Sequence, residues 1–216
     1  MPVLGGRWRI PLARAAVQNG ARALVLDSGF QHRRLHRDLE IVACNVDQAG
    51  KRDRLPAGPY RERFAALDRA DAVILVRRVA DAGQVRDVRD EVAALAPHAL
   101  VTEVRLEPGG LRAANEAARG AVPEPAVAVA GVMWPESFFR WLAGAGVRAE
   151  HRFALSDHAR YDERLARQIA AAAGTRGIVC TRKDAVRLVP LVPDGVPVWW
   201  LDEKVVWERG GRRLRA

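Results

Sequence analysis

Leu24-Val25-Leu26-Asp27-Ser28-Gly29-Phe30-Gln31-His32-Arg33-Arg34 is a short apolar run that stops at an acid. It then turns at a glycine and enters a dense group of polar and cationic side chains. In an α/β protein, strands deliver polar residues at their carboxyl ends, in the crevice where ligands bind. The run therefore predicts a buried strand over 21–26 with Asp27 at its end. It makes α/β the class to test along the rest of the chain.

On the amino-terminal side, 11–19 read as a short helix, with Pro11 near its start and Gly20 just past its end. On the other side, a strand over 39–46 ends at Asp47. A loop follows over 50–63, where Pro56-Ala57-Gly58-Pro59 is too rich in turn residues for regular structure. Next come a helix over 64–70, a strand over 72–76, a polar helix over 83–96 closed by Pro97, and a strand over 99–106. Pro108-Gly109-Gly110 and Val122-Pro123-Glu124-Pro125 bracket a weak helical piece, and the second bracket predicts a boundary between 1–122 and 123–216. Beyond it we expect strands over 126–130, 147–155 and 177–181, and helices over 135–143 and 162–173. The end reads as a strand over 196–201 and a hairpin turning at Gly210-Gly211. Such alternation predicts an open, mostly parallel sheet with flanking helices, and a smaller carboxyl-terminal α/β part ending in the hairpin.

Composition narrows the function classes. With 216 residues, 49% of them apolar, the chain can build a proper core. No run approaches the roughly 18 apolar residues of a membrane span. The start, Met1 to Arg7, lacks the apolar centre of a secretory signal, so a cytosolic protein without an anchor is expected. Cys44 and Cys180 each sit in an apolar, strand-like run, which predicts buried thiols rather than a disulfide or a zinc site. The formal charge of +9 suits a phosphorylated or anionic-lipid ligand. The cations are scattered and almost all arginine (Lys51, Lys183 and Lys204 are the lysines), so no nucleic-acid partner is expected.

An apolar strand ending in a carboxylate is one physical form of a magnesium-holding acid, because a hard cation wants rigidly placed oxygen. Asp27 is that candidate, and an Asp capping a turn is the alternative. The full run resembles the signature Asp-Asp-Gly-Phe-Gln-His-Arg-Arg of the tetraacyldisaccharide 4'-kinases, which phosphorylate the lipid A precursor. Leu55-Pro56-Ala57-Gly58-Pro59-Tyr60-Arg61-Glu62 resembles that family's Leu-Pro-Ala-Gly-Pro-Leu-Arg-Glu loop, and Arg69-Ala70-Asp71-Ala72-Val73 its next strand. Ala130-Gly131-Val132 with Pro135 to Phe139 is similar to its Ala-Gly-Ile-Gly-Asn-Pro-x-x-Phe-Phe segment. Asp157-His158-Ala159-Arg160-Tyr161 resembles its Asp-His-His-x-Tyr motif, and Thr181 to Leu188 its Thr-Glu-Lys-Asp-Ala-Val-Lys-Leu motif. These matches keep the family order from about residue 20 onward.

The resemblance implies a P-loop NTPase-like domain over 1–122 and a second α/β subdomain over 123–216. It also implies ATP and Mg2+ as cofactors and a lipid A disaccharide precursor as partner. The 4' hydroxyl of a tetraacyldisaccharide 1-phosphate would be the acceptor, met on an anionic membrane surface at the cytoplasmic face of a Gram-negative inner membrane. Three departures stand out. The sequence holds no phosphate-cradling Gly-x-x-x-x-Gly-Lys-Ser/Thr loop, and so reads as the family without its first third. Ser28 replaces the second acid of the signature. Met133-Trp134 and Arg182 replace a Gly-Asn pair and a glutamate. The alternative expectation is an inactive member that at most binds anionic lipid.

By the same resemblance, Asp27 would face the metal, and His158, oriented by Asp157, would be the general base. Asp157 as a helix N-cap is the other reading of that pair. Gln31, His32, Arg33 and Arg34 would line the cleft, the planar arginine fork suiting paired phosphate oxygens. Arg61 and Glu62 would serve the nucleotide or lipid-sugar side, or else form a surface ion pair. Lys183 and Asp184 are either site residues or the start of a helix packing the sheet edge. Trp134, Phe138, Phe139 and Trp141 read as core, with the two tryptophans also suited to acyl chains.

Overall fold

In the computed structural model, residues 2–211 are described except 49, 51, 52, 55, 56, 59, 123 and 158. Helices and strands alternate along them, and the chain forms two compact units, Met1–Arg105 with Val206–Ala216, and Leu106–Val205. The division falls inside two long strands. The Pro-rich bracket at 122–125, where sequence placed a boundary, lies within the second unit.

In the first unit, β1 (Ile41–Asn45), β2 (Ala72–Arg77) and the first half of β3 (Leu100–Ala113) pair in parallel. Ile41 stands opposite Ala72, and Ala72 opposite Leu100. The end of β7 (Val198–Arg209) lies beside β3, giving the order β1-β2-β3-β7. Helix α2 (Ala82–Leu95) starts at a reciprocal cap: Gln84 N–H donates to Asp81 Oδ1 at 2.9 Å, and Asp81 N–H to Gln84 Oε1 at 3.0 Å. Its buried face is Val85, Val88 and Val92, the spacing of one helical stripe. These pack with Val73, Leu75 and Leu67 into the unit's core. Each fully buried valine contributes on the order of 1.5–2 kcal/mol. Residues Phe64–Arg69 wind as a 3-10 helix where a helix was expected. Helix α1 (Arg9–Gln18) buries none of its residues.

The second unit has the order β3-β7-β6-β4-β5, with β4 (Ala126–Ala130), β5 (Ala149–Ala154), β6 (Ile178–Thr181) and β7 all parallel. The second half of β3 runs against β7: Ala114 N–H donates to Val198 O at 2.8 Å, and Arg112 pairs with Asp202. Buried β4 is a clean alternation. Its three alanines face a cluster with Phe138, Phe139 and Leu142 of α3 (Pro135–Gly144). Its two valines face Ala166, Ile169 and Ala173 of α4 (Glu163–Ala173). Small residues on one face admit the bulky rings, and larger ones on the other meet the alanine stripe of α4. Asp162 caps α4, taking the Leu165 N–H at 2.8 Å, and Thr181 caps α5 (Arg182–Leu188).

The class is thus the expected mostly parallel α/β sheet with flanking helices. Three local expectations are corrected. Residues 21–26 form no strand; Val25 is 84% exposed and no described strand pairs with the run, and an apolar sequence alone cannot supply the ladder a strand needs. Strand β3 runs through Pro108-Gly109-Gly110 instead of ending at 106, and among the described residues no helix follows it before β4. The predicted strand 196–201 and the first arm of the hairpin are one strand, β7. The hairpin's return arm, at 212–215, lies outside the described residues. Both cysteines are buried and free, and among the described residues no helix is long and apolar enough to cross a membrane.

Candidate functional site

The candidate residues fall into two groups, each within one unit. In the first unit, Phe30 anchors the opening motif. Its ring packs on the core and lies under the Arg69 guanidinium, 4.4 Å from the ring centroid. The chain around it is wound rather than extended. His32 N–H donates to Gly29 O at 2.8 Å, and Arg37 Nη1 donates to the carbonyls of His32 and Leu35 at 2.7 Å each. Arg37 also pairs with Glu40. Ser28 sits at φ 55°, a left-handed conformation uncommon outside glycine, and its hydroxyl donates to Asp27 Oδ1 at 3.1 Å. Asp27, Gln31, Arg33 and Arg34 are exposed, and His32 is half-buried.

Gln31 meets Arg61 and Glu62 on the wall of one cavity of about 260 Å³, which Phe30, Cys44 and Tyr60 also line. That lies just below the roughly 300 Å³ at which small-molecule pockets begin, enough for a phosphate or one sugar ring. Glu62 accepts two hydrogen bonds from Arg69 Nη2, at 2.9 and 3.2 Å, so its partner is Arg69 and not Arg61. Sequence reasoning assigned Arg69 only to a strand resemblance. An arginine seven residues from its carboxylate, past a turn, has no periodic signal.

The fit to magnesium is limited. Among the described residues, no three His, Cys, Asp or Glu side chains cluster closely enough to hold a metal ion. Asp27 offers one carboxylate with the Ser28 hydroxyl beside it. One carboxylate is the share a protein supplies when nucleotide phosphates bring most of the other oxygens.

In the second unit, three motif segments follow the carboxyl ends of β4, β6 and β5, the end where open parallel sheets hold ligands. Asp184, fully buried, ties two of them: its Oδ2 accepts from Gly131 N–H at 2.9 Å and from the Thr181 hydroxyl at 2.7 Å. Lys183 Nζ donates to Asp157 Oδ1 at 2.5 Å, joining the segment after β5 to α5. Asp157 is not the cap of α4, a role Asp162 fills. His158 lies outside the described residues. Burial pushes the Tyr161 hydroxyl well above its ordinary ionisation range, and nearby Asp184 adds to the rise. Burial likewise raises the Cys180 thiol, which donates to Trp199 O at 3.4 Å and stays inert. Arg182 lies over the Trp200 ring, 5.1 Å from its centroid. Phe138 and Phe139 are core, whereas Met133 and Trp134 are exposed.

Residues 1–214 match the family described as "Tetraacyldisaccharide-1-P 4'-kinase". A "Tetraacyldisaccharide 4'-kinase" of Anaeromyxobacter sp. (strain Fw109-5) is 40% identical over 208 residues, which cover 87% of this chain and 53% of that protein. One of Gluconobacter oxydans (strain 621H) is 34% identical over 212 residues, covering 94% of this chain and 61% of the relative. The crystal structure of LpxK from Aquifex aeolicus in complex with ATP matches with a TM-score of 0.56 at 24% identity, over 87% of this chain and 53% of that one. At that identity the likeness speaks for the fold, which is P-loop NTPase-like. The chain spans about half the length of the curated relatives it matches. With the match running over residues 1–214 and the motifs standing in family order, the chain belongs to the tetraacyldisaccharide-1-P 4'-kinase family.

Proposed function

We propose that this chain serves the ATP-dependent transfer of a phosphoryl group to the 4' hydroxyl of a tetraacyldisaccharide 1-phosphate, a step of lipid A biosynthesis. The observation that carries this reading is the meeting of Gln31 with Arg61 and Glu62 around one cavity. Two motifs distant in sequence thus line the same small space. Arg61 suits a phosphate oxygen pair, and Gln31 suits a sugar hydroxyl. Glu62, held by Arg69, sets the wall on which Arg61 stands.

In the reaction, the 4' oxygen bonds to the γ-phosphorus, the bond from that phosphorus to the β–γ bridging oxygen breaks, and ADP leaves. The hydroxyl proton passes to the base assigned to His158, next to Asp157. Magnesium, when bound, draws charge from the phosphates, and Asp27 would give it one oxygen. The protein would act at an anionic bilayer surface, the cytoplasmic face of the inner membrane, where its +9 charge favours approach.

A second reading, an inactive member that at most binds anionic lipid, is favoured by one observation: Ser28 stands where the signature has its second acid, leaving the exposed Asp27 as its sole carboxylate. The test incubates the purified chain with γ-labelled ATP, Mg2+ and tetraacyldisaccharide 1-phosphate in mixed micelles. Labelled bisphosphate product is expected, and Arg61→Ala should raise the KM of one substrate with little change in kcat. No labelled product, with binding to anionic vesicles retained, would overturn the kinase reading in favour of the second.

A further inference from the structure

We propose that Tyr161 and Asp184 form a buried hydroxyl–carboxylate pair, backed against Gly131, that positions the Asp157–Lys183 ion pair. The positioning role rests on the function proposed above; the existence of the pair does not.

The Asp184 Oδ2 is fully used, by the Gly131 N–H and the Thr181 hydroxyl. Its Oδ1 and the Tyr161 hydroxyl are both buried, and neither has a hydrogen-bond partner. They converge on one point: a Cβ built on Gly131 would lie 2.8 Å from Asp184 Oδ1 and 3.0 Å from the Tyr161 hydroxyl oxygen. An O–H needing an acceptor and a carboxylate oxygen with lone pairs to spare thus stand together where water is excluded. A small turn of either side chain completes the bond, and leaving both unmet is the costlier state. The rise in Tyr161 ionisation agrees, with burial first and Asp184 next among its causes, and Arg187 opposing them. Gly131 is the residue that lets the two approach, since any side chain there would enter their space.

The consequence concerns the segment 157–161, whose described residues, 157 and 159–161, lie in neither helix nor strand. Two rungs cross from it to the segment at the end of β6. Asp157 meets Lys183 on the outside, and Tyr161 meets Asp184, one residue on, in the dry interior. The outer rung is solvated, with side-chain exposures of 40% for Lys183 and 28% for Asp157, and by itself holds the segment weakly. The inner rung supplies the fixed point. Through Gly131 it also sets the first residue after β4, so three motif segments share one buried carboxylate.

The chain has two tyrosines, Tyr60 and Tyr161, which makes the pair directly readable. In a Tyr60→Phe background, tyrosinate absorbance should stay absent through the ordinary tyrosine range near pH ~10 and emerge only on unfolding. Titration of Tyr161 in that ordinary range would overturn the pair. For positioning, Tyr161→Phe should lower kcat by about 10- to 100-fold with the KM for ATP unchanged, measured well below its melting temperature. Amide exchange in 157–161 should quicken while that of β4 stays as in the wild type. Unchanged kcat in an active enzyme, or unchanged exchange, would overturn the positioning role. Asp184→Asn is the companion variant and should bring the Tyr161 titration down; if it does not fold, Tyr161→Phe, which deletes one oxygen, still decides. If the wild type transfers no phosphate, the proposed function fails, while the titration and the exchange still decide the inner rung.

Discussion

Replacing Asp47 by alanine removes, in one step, the acceptor of three backbone N–H groups. Asp47 follows β1, and its carboxylate reaches the turn after β2. Oδ1 accepts from Arg78 at 3.2 Å, Val79 at 3.1 Å and Ala80 at 2.8 Å, and Oδ2 accepts from Arg78 at 3.0 Å. Hydrogen bonds to a charged group are worth about 1.5–3 kcal/mol each. The N–H of exposed Val79 can turn to water, and that of half-buried Arg78 in part. Ala80 is 3% exposed, so its N–H would be stranded. The sum is a loss on the order of 2–4 kcal/mol, one strong bond in full and fractions of the others. For a chain of this size that corresponds to roughly 5–15 °C in melting temperature. Urea unfolding of the variant should show a lower midpoint with an unchanged slope, and Asp47→Asn, which keeps one acceptor oxygen, should fall about halfway. An Asp47→Ala variant within about 0.5 kcal/mol of wild type, the range of ordinary surface changes, would refute this account of the β2–α2 turn.

Two further outcomes are expected. Gly177→Ala should cost roughly 2–4 kcal/mol in the same assay, because Gly177 has φ +94° and an added Cβ would stand 2.4 Å from Cζ3 of buried Trp199. Glu208 accepts from Arg77 at 2.9 and 2.5 Å and from Arg105 at 3.0 Å, and these arginines hold its carboxyl below the ordinary glutamate value. Its folded ionisation lies below the unfolded one, so its stabilisation is complete above the ordinary range near pH ~4.3 and fades as pH falls through the lowered value. The stability gap between wild type and Glu208→Gln, on the order of 1 kcal/mol at neutral pH, should therefore shrink on acidification, and a gap that widens would contradict the sign.

The elements legible in sequence were those whose signal is local. Ala126 to Ala130 is a five-residue apolar run between turn residues and became a fully buried strand, paired between β5 and β6. Helical spacing placed α2 and α4 to within a residue at each end. What failed depended on a neighbour. Residues 21–26 are as apolar as a strand, yet strand formation belongs to a pair of segments and not to one. Pro108 read as a terminator because proline breaks a central ladder. Strand β2 pairs with β3 only as far as Arg105, however, so beyond it Pro108 lies on an open edge where no N–H is demanded. The same division applies to the candidate site. Motif spelling proposed Gln31, Arg61, Glu62, Asp157 and Lys183. It did not reveal that Glu62 belongs to Arg69, or that Asp184 is buried and shared by two segments.

Each group of candidate residues is closed within its own unit, and this makes the functional reading separable into parts. Gln31, Arg61 and Glu62 rest on Phe30 and Arg69, all inside the first unit. Asp157 is joined to Lys183, and Asp184 to Gly131 and Thr181, by bonds within the second. A substitution in one group therefore leaves the internal bonding of the other intact. Effects of Arg61→Ala and Tyr161→Phe on local structure should add, as for sites without shared partners. Coupling seen in turnover but not in stability would then have to arise in the reaction itself.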